Sequence, residues 1–191
     1  IKARDTEQVP RQCKEAIGLA DGIQVDFKRS YNIIFAGMGG SGISGHLMRD
    51  ILHDSIDIPV EVSSSYDLPT YAGPNTLFIC TSYSGNTEET LTQFVQAIKR
   101  KCNIFAITSG GKLLEWSDRF GVPYVKLPDG YQPRGALPYL LFSITSYLEN
   151  IGVQPFSSDE EEFLEIIPTV DLTQIDEIVV AMKDSRYPLV Y

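Results

Sequence analysis

The chain has 191 residues, 43% of them hydrophobic and 21% charged, with a formal net charge of −9. That size and balance suit one folded domain with additional elements, and the acidic excess argues against a general nucleic-acid binder, which needs a basic face. No apolar stretch approaches the ~20 residues of a membrane span, and Ile1-Lys2-Ala3-Arg4-Asp5 has no secretion-signal character.

The first predicted element is a short helix from about Pro10 to Leu19, with Cys13, Ile17 and Ala20 on one side. Asn32 to Phe35 reads as an apolar strand. It runs into Gly37-Met38-Gly39-Gly40-Ser41-Gly42, and Ile43, Leu47, Ile51 and Leu52 then recur at helical spacing. Val60 to Val62 is a second strand and Leu77 to Cys80 a third. The third is followed by the hydroxyl-rich run Thr81-Ser82-Tyr83-Ser84-Gly85-Asn86-Thr87 and a helix from about Thr87 to Lys101. Ile104 to Ile107 is a fourth strand, ending in Thr108-Ser109-Gly110-Gly111. Leu113, Leu114 and Trp116 begin the next helix, and Val122 to Val125 is a short fifth strand. Ala136 to Ile151 is a long apolar helix, broken by Gly152 and Pro155. The acidic run Asp159 to Glu162 is a solvated start of another helix, which Pro168 stops. Ile175 to Met182 is helical or extended, and Tyr187 to Tyr191 reads as a strand. A bare apolar strand at the end predicts that further chain follows.

Alternating strands and helices predict an α/β fold with a parallel sheet covered on both faces. Ligands of such sheets bind beyond the carboxyl ends of the strands, where the strand order reverses. Both glycine- and serine-rich loops lie at that end. Ser41 and the Ser82–Thr87 loop are therefore expected to converge on one crevice. The three cysteines, Cys13, Cys80 and Cys102, are far apart and lack C-x-x-C spacing. They predict neither a disulfide framework nor a zinc site, and suit a reducing, cytoplasmic setting. Cys80 lies in an apolar run as a small core residue.

Hydroxyls and free backbone N–H groups at a helix N-terminus suit a phosphate group. A plain helix cap needs one hydroxyl, whereas Ser82, Ser84 and Thr87 supply three around Gly85, which favours a ligand site. Gly37, Gly39 and Gly42 also fit G-x-G-x-x-G, with Glu61 as a distant acidic partner, but this motif alone is weak. A dinucleotide leaves the second loop unexplained. Glu88 and Glu89 in a first helical turn suit the helix dipole, and a carboxylate there would repel a phosphate dianion. His46 and His53 fall on the helix after the glycine loop and read as surface or packing residues. Ser63-Ser64-Ser65-Tyr66 is either a third polar edge of the site or a surface loop. Tyr83 either orients its loop or packs against it.

The runs Gly37 to Gly42, Ser82 to Thr90 and Gln132-Pro133-Arg134-Gly135-Ala136-Leu137-Pro138-Tyr139 resemble, in order and spacing, the bifunctional phosphoglucose/phosphomannose isomerases of the sugar isomerase (SIS) superfamily. The resemblance covers roughly Ile33 to Gly152. It implies SIS domains of five-stranded parallel sheet flanked by helices. Residues 1–152 would form an N-terminal SIS domain with a leading helix, and 153–191 a helical linker and the first strand of a second SIS domain. It implies interconversion of glucose 6-phosphate or mannose 6-phosphate with fructose 6-phosphate, without metal or cofactor, by a homodimer. Carried onto matching positions, Gly40, Ser41, Ser82, Ser84 and Thr87 hold the sugar phosphate, and Arg134 stabilises the enediolate. The base, a glutamate, and the ring-opening histidine and lysine are expected beyond Tyr191, so this chain alone is expected to be inactive. The competing expectation is a non-catalytic SIS module that senses a sugar phosphate. Too few residues precede the first strand for a helix-turn-helix domain. The motif around Arg134 favours the hexose enzyme over arabinose 5-phosphate isomerases or a glucosamine-phosphate synthase isomerase domain.

Overall fold

A computed structural model describes residues 8–23 and 30–169. The chain divides into two compact units, Ile1–Ser157 and Ser158–Tyr191. In the first, α1 (Val9–Leu19) precedes β1 (Asn32–Ala36), α2 (Gly39–Leu52), β2 (Val60–Ser63), β3 (Thr76–Thr81) and α3 (Glu88–Lys99). Then come β4 (Asn103–Thr108), α4 (Gly111–Phe120), β5 (Tyr124–Lys126) and α5 (Leu137–Asn150). Helix α6 (Ser157–Ile166) and a 3-10 turn (Ile167–Thr169) close the described chain. Asp159 and Glu160 stand in the first turn of α6, as the helix dipole favours. Glu160 is nevertheless buried, so the acidic run is not the wholly solvated helix start expected. The elements expected at Ile175–Met182 and Tyr187–Tyr191 lie outside the described residues.

The five strands form one parallel sheet in the order β2-β1-β3-β4-β5. Ile33 pairs with both Val60 and Leu77, and Phe78 with Ile104. Every residue of β3 is buried, as a strand covered on both faces requires. Alternate side chains serve opposite faces. Ile34, Ala36, Phe78, Cys80, Ile104 and Ala106 form one core with Leu91, Phe94 and Ala97 of α3 and Leu113 of α4. The other parity, Ile33, Phe35, Leu77, Ile79, Phe105 and Ile107, is buried too. On that side the Phe105 ring stacks on Tyr147 of α5, centroids 3.5 Å apart. Burying each such large apolar side chain stabilises the fold by about 1.5–3 kcal/mol before chain entropy is counted.

Helix α2 forms as its periodicity predicts, but of its four apolar marker residues only Leu52 is buried. Ile43, Leu47 and Ile51 are 43%, 37% and 44% exposed. The buried side carries Ser41, Ser44, Gly45, Met48 and Leu52. Small residues let this helix lie close on Phe35 of β1. Strand β5 begins at Tyr124 rather than Val122. The Val122 N–H is committed to Ser117 O at the end of α4, and Pro123 has no N–H to give a ladder.

The order reverses between β1 and β3. Strand β1 continues into α2 and β3 into α3, so both connecting loops emerge side by side at the carboxyl edge of the sheet. That is the position in which open α/β sheets carry ligands.

Candidate active site

Three loops meet at this edge, after β1, β3 and β5. The first two are locked together. The backbone N–H of Tyr83 donates to Ser41 Oγ at 3.1 Å. The Thr81 hydroxyl donates to the carbonyls of Ser41 (3.0 Å) and Ala36 (3.3 Å). Ser41 and the Ser82–Thr87 loop therefore converge as expected. Accepting from Tyr83 also orients Ser41: its own O–H proton has no acceptor among the described residues and remains available to a ligand.

Within the second loop, the hydroxyls of Ser82 and Thr87 lie 3.0 Å apart. Thr87 is the N-cap of α3, yet makes no side-chain cap hydrogen bond. Met38 caps α2 without one either. Both helices thus present first-turn N–H groups that no side chain satisfies, with the positive ends of their dipoles. This disfavours the simple capping account of the loop hydroxyls. Ser84 is exposed, and its hydroxyl accepts from Asn86 N at 3.3 Å. Gly85 has φ +68°, and a Cβ there would lie 1.8 Å from Gly110 O. Only glycine fits. The loop after β4 forms its floor: Ser109 donates to Tyr83 O through N (3.0 Å) and Oγ (2.6 Å), and Lys112 N donates to Asn86 Oδ1 at 3.2 Å.

The third loop carries Arg134, which is exposed in a turn just before α5. No hydrogen bond or ion pair engages its guanidinium among the described residues. Gln132 O accepts from Ala136 N at 3.1 Å, closing the turn around it. Gly40 faces this turn: a Cβ at Gly40 would lie 3.2 Å from Pro133 O and 3.3 Å from Arg134 N. Gly40, Gln132, Pro133 and Arg134 line an open cavity of about 390 Å³. Two helix N-termini without side-chain caps and an exposed arginine therefore adjoin. Such a pairing can hold an anionic ester and stabilise negative charge developing nearby.

Gly40 and Arg134 line this cavity, whereas Ser41, Ser82, Ser84 and Thr87 lie on the neighbouring loops outside its lining, as do the other residues singled out in the sequence. Glu88 accepts from Tyr66 OH at 3.5 Å and lines a separate groove with Leu91, Lys99, Lys112 and Trp116. His46 is exposed on α2, and His53, also exposed, sits 2.8 Å from Asp54 Oδ1. Glu61 accepts from the Tyr71 hydroxyl. In the Ser63–Tyr66 run, Ser64, Ser65 and Tyr66 are exposed, and the Ser64 hydroxyl donates to Gly37 O at 2.9 Å, bracing the glycine loop. Thr81, Ser109 and the Tyr83 hydroxyl were not legible as site-building groups. Their partners lie 26 to 48 residues away in sequence, beyond the reach of any local pattern. The one available signal was the placement of Thr81 and Tyr83 in the hydroxyl run itself.

Residues 26–112 match the SIS domain family. The chain carries a SIS domain. Over 162 residues it is 36% identical to a bifunctional phosphoglucose/phosphomannose isomerase of Caldicellulosiruptor bescii, covering 83% of this chain and 48% of that protein. Over 114 residues it is 38% identical to a D-glucosamine-6-phosphate 4-epimerase of Sulfolobus acidocaldarius, covering 59% of this chain and 36% of that protein. The SIS fold is shared with tagatose-6-phosphate ketose/aldose isomerase from Escherichia coli: TM-score 0.64, 16% identity, 95% of this chain and 53% of the other. The chain spans about half the length of the first two curated bifunctional isomerases it matches.

Proposed function

We propose that this SIS domain belongs to an aldose–ketose isomerase that interconverts glucose 6-phosphate or mannose 6-phosphate with fructose 6-phosphate through an enediolate. The observation that carries the reading is the junction of the two uncapped helix N-termini with the turn bearing Arg134. In this reading Gly40, Ser41, Ser82, Ser84 and Thr87 hold the phosphate by N–H and O–H donation. The substrate chain then runs towards the cavity beside Arg134, placing C1 and C2 under the guanidinium. Proton transfer between those carbons leaves negative charge on oxygen, and a fixed, permanently charged fork stabilises it.

A base must still move that proton. The lining of the cavity, Gly40, Gln132, Pro133 and Arg134, includes no carboxylate and no histidine, so the base in this reading comes from residues outside that lining. Three further curated relatives of the same name, 34–43% identical, support the isomerase class. The reading places a homodimer in the reducing cytoplasm, in hexose-phosphate metabolism.

The same cavity, without a base in its lining, is compatible with a second reading, a non-catalytic domain that binds a sugar phosphate and signals its presence. A coupled assay on the full-length protein separates the two. Production of glucose 6-phosphate or mannose 6-phosphate from fructose 6-phosphate supports the enzyme. Saturable binding without turnover supports the sensor. Conversion of glucosamine 6-phosphate alone would replace isomerisation with the epimerase chemistry named for one relative.

A further inference from the structure

We propose that Tyr83 is a positioning residue that couples the phosphate-binding loop to the turn carrying Arg134. The inference rests on the functional reading above and deepens it. Tyr83 touches all the loops that build the site. Its N–H donates to Ser41 Oγ (3.1 Å), and its carbonyl accepts from Ser109 N (3.0 Å) and Oγ (2.6 Å). Its phenol crosses to the third loop, donating to Pro128 O at 2.8 Å and accepting from Tyr131 N at 2.9 Å. The ring is 7% exposed.

The third loop has few other ties. Tyr131 packs its ring 5.4 Å from that of Tyr139, and its hydroxyl meets Arg11 (3.3 Å) and Gln8 (3.4 Å) of the α1 region. Tyr131 stands three residues before Arg134. Its N–H is held by Tyr83, and the next residue, Gln132, opens the turn that Ala136 N closes. On the far side Gly40 abuts Pro133 and Arg134. The guanidinium itself has no partner among the described residues, so its place depends on its backbone. That backbone is held between the Tyr83 phenol on one side and Gly40 of α2 on the other. Burial, the largest influence, raises the Tyr83 phenol above its usual pKa, so the donor to Pro128 O persists at neutral pH. A phosphate that orders the Ser82–Thr87 loop would therefore also fix Arg134.

Tyr83→Phe keeps the ring and both backbone bonds but removes the bridge to Pro128 and Tyr131. The phenol does not touch the phosphate site, so affinity for inorganic phosphate should stay within about twofold. The preference for fructose 6-phosphate over inorganic phosphate should fall about tenfold, the scale of one charge-assisted hydrogen bond. In the full-length enzyme KM for fructose 6-phosphate should rise with that loss of affinity, and kcat should fall as well. In an Arg134→Ala background, Tyr83→Phe should have no further effect on that preference. Additive effects would overturn the proposal, as would an unchanged preference in the single variant. A wild-type protein with no preference for the sugar phosphate would instead overturn the functional reading. A second measurement needs no variant: on adding inorganic phosphate to the wild-type chain, the amide resonances of Tyr131 and Arg134 should shift with those of Ser84 to Thr87. Shifts confined to the phosphate loops would overturn the coupling.

Discussion

At the scale of single residues, Arg134 is defined by what surrounds it rather than by what it binds. Its turn is closed by a backbone bond, and its side chain stands exposed beside a cavity. Arg134→Ala removes no described hydrogen bond or ion pair, so the fold should survive. Isomerisation in the full-length protein should lose about 3–4 kcal/mol of transition-state stabilisation, roughly two to three orders of magnitude in kcat/KM. Affinity for inorganic phosphate should be largely spared. Unchanged turnover in the coupled assay would remove Arg134 from the mechanism.

Two glycines make sharper structural tests. Gly40→Ala brings a methyl group 3.2 Å from Pro133 O, tight enough that the turn must give. It should weaken discrimination for the sugar phosphate more than it lowers the melting temperature. Gly85→Ala is the opposite case: a left-handed backbone and a carbonyl 1.8 Å from the new atom. It should destabilise the domain by about 2–4 kcal/mol, combining backbone strain with overpacking. A urea midpoint equal to wild type would show that this loop is not held as described.

Among the elements, α5 joins site to core. Its start follows the Arg134 turn, and its body lays Tyr147 on Phe105 of β4. Tyr147 is 1% exposed, so Tyr147→Ala should cost about 3–5 kcal/mol, read as a lower denaturant midpoint. The strands were legible because β3 and β4 are apolar runs with glycine- or hydroxyl-rich ends. The orientation of α2 was not legible: its exposed Ile43, Leu47 and Ile51 carry the stronger hydrophobic signal, while its packing side is made of small residues. Between α3 and β4, Cys102 adds a pH dependence. Burial is the main influence, and it pushes the thiol up from 9.0 to about 11. The folded state therefore favours the protonated form. This contribution is intact below pH 9 and is lost as pH rises towards 11, because the unfolded chain ionises first. The urea midpoint should fall across that range, and Cys102→Ser should flatten the fall.

For the molecule as a whole, the sheet order decides where chemistry can occur. Placing β1 beside β3 sends their following helices to opposite faces and brings both N-termini to one edge. The sequence made this convergence readable through two loops of known character. It could not reveal how the loops are tied, because Tyr83 reaches Pro128 and Tyr131 across 45 and 48 residues. Nor could a local pattern show that Ser64 supports the glycine loop from the β2 side. The chain spans about half of its first curated relatives, so the groups that complete the proposed chemistry are sought in the whole protein.

The most direct test is a titration of the isotopically labelled chain with fructose 6-phosphate, followed residue by residue through its amide resonances. The account predicts saturable shifts at Gly40, Ser41 and Ser84 to Thr87 for both fructose 6-phosphate and inorganic phosphate, with the Arg134 side chain responding more strongly to the sugar phosphate. Saturable shifts centred instead on the groove of Lys99, Lys112 and Trp116, or no response at the two loops at millimolar ligand, would contradict it.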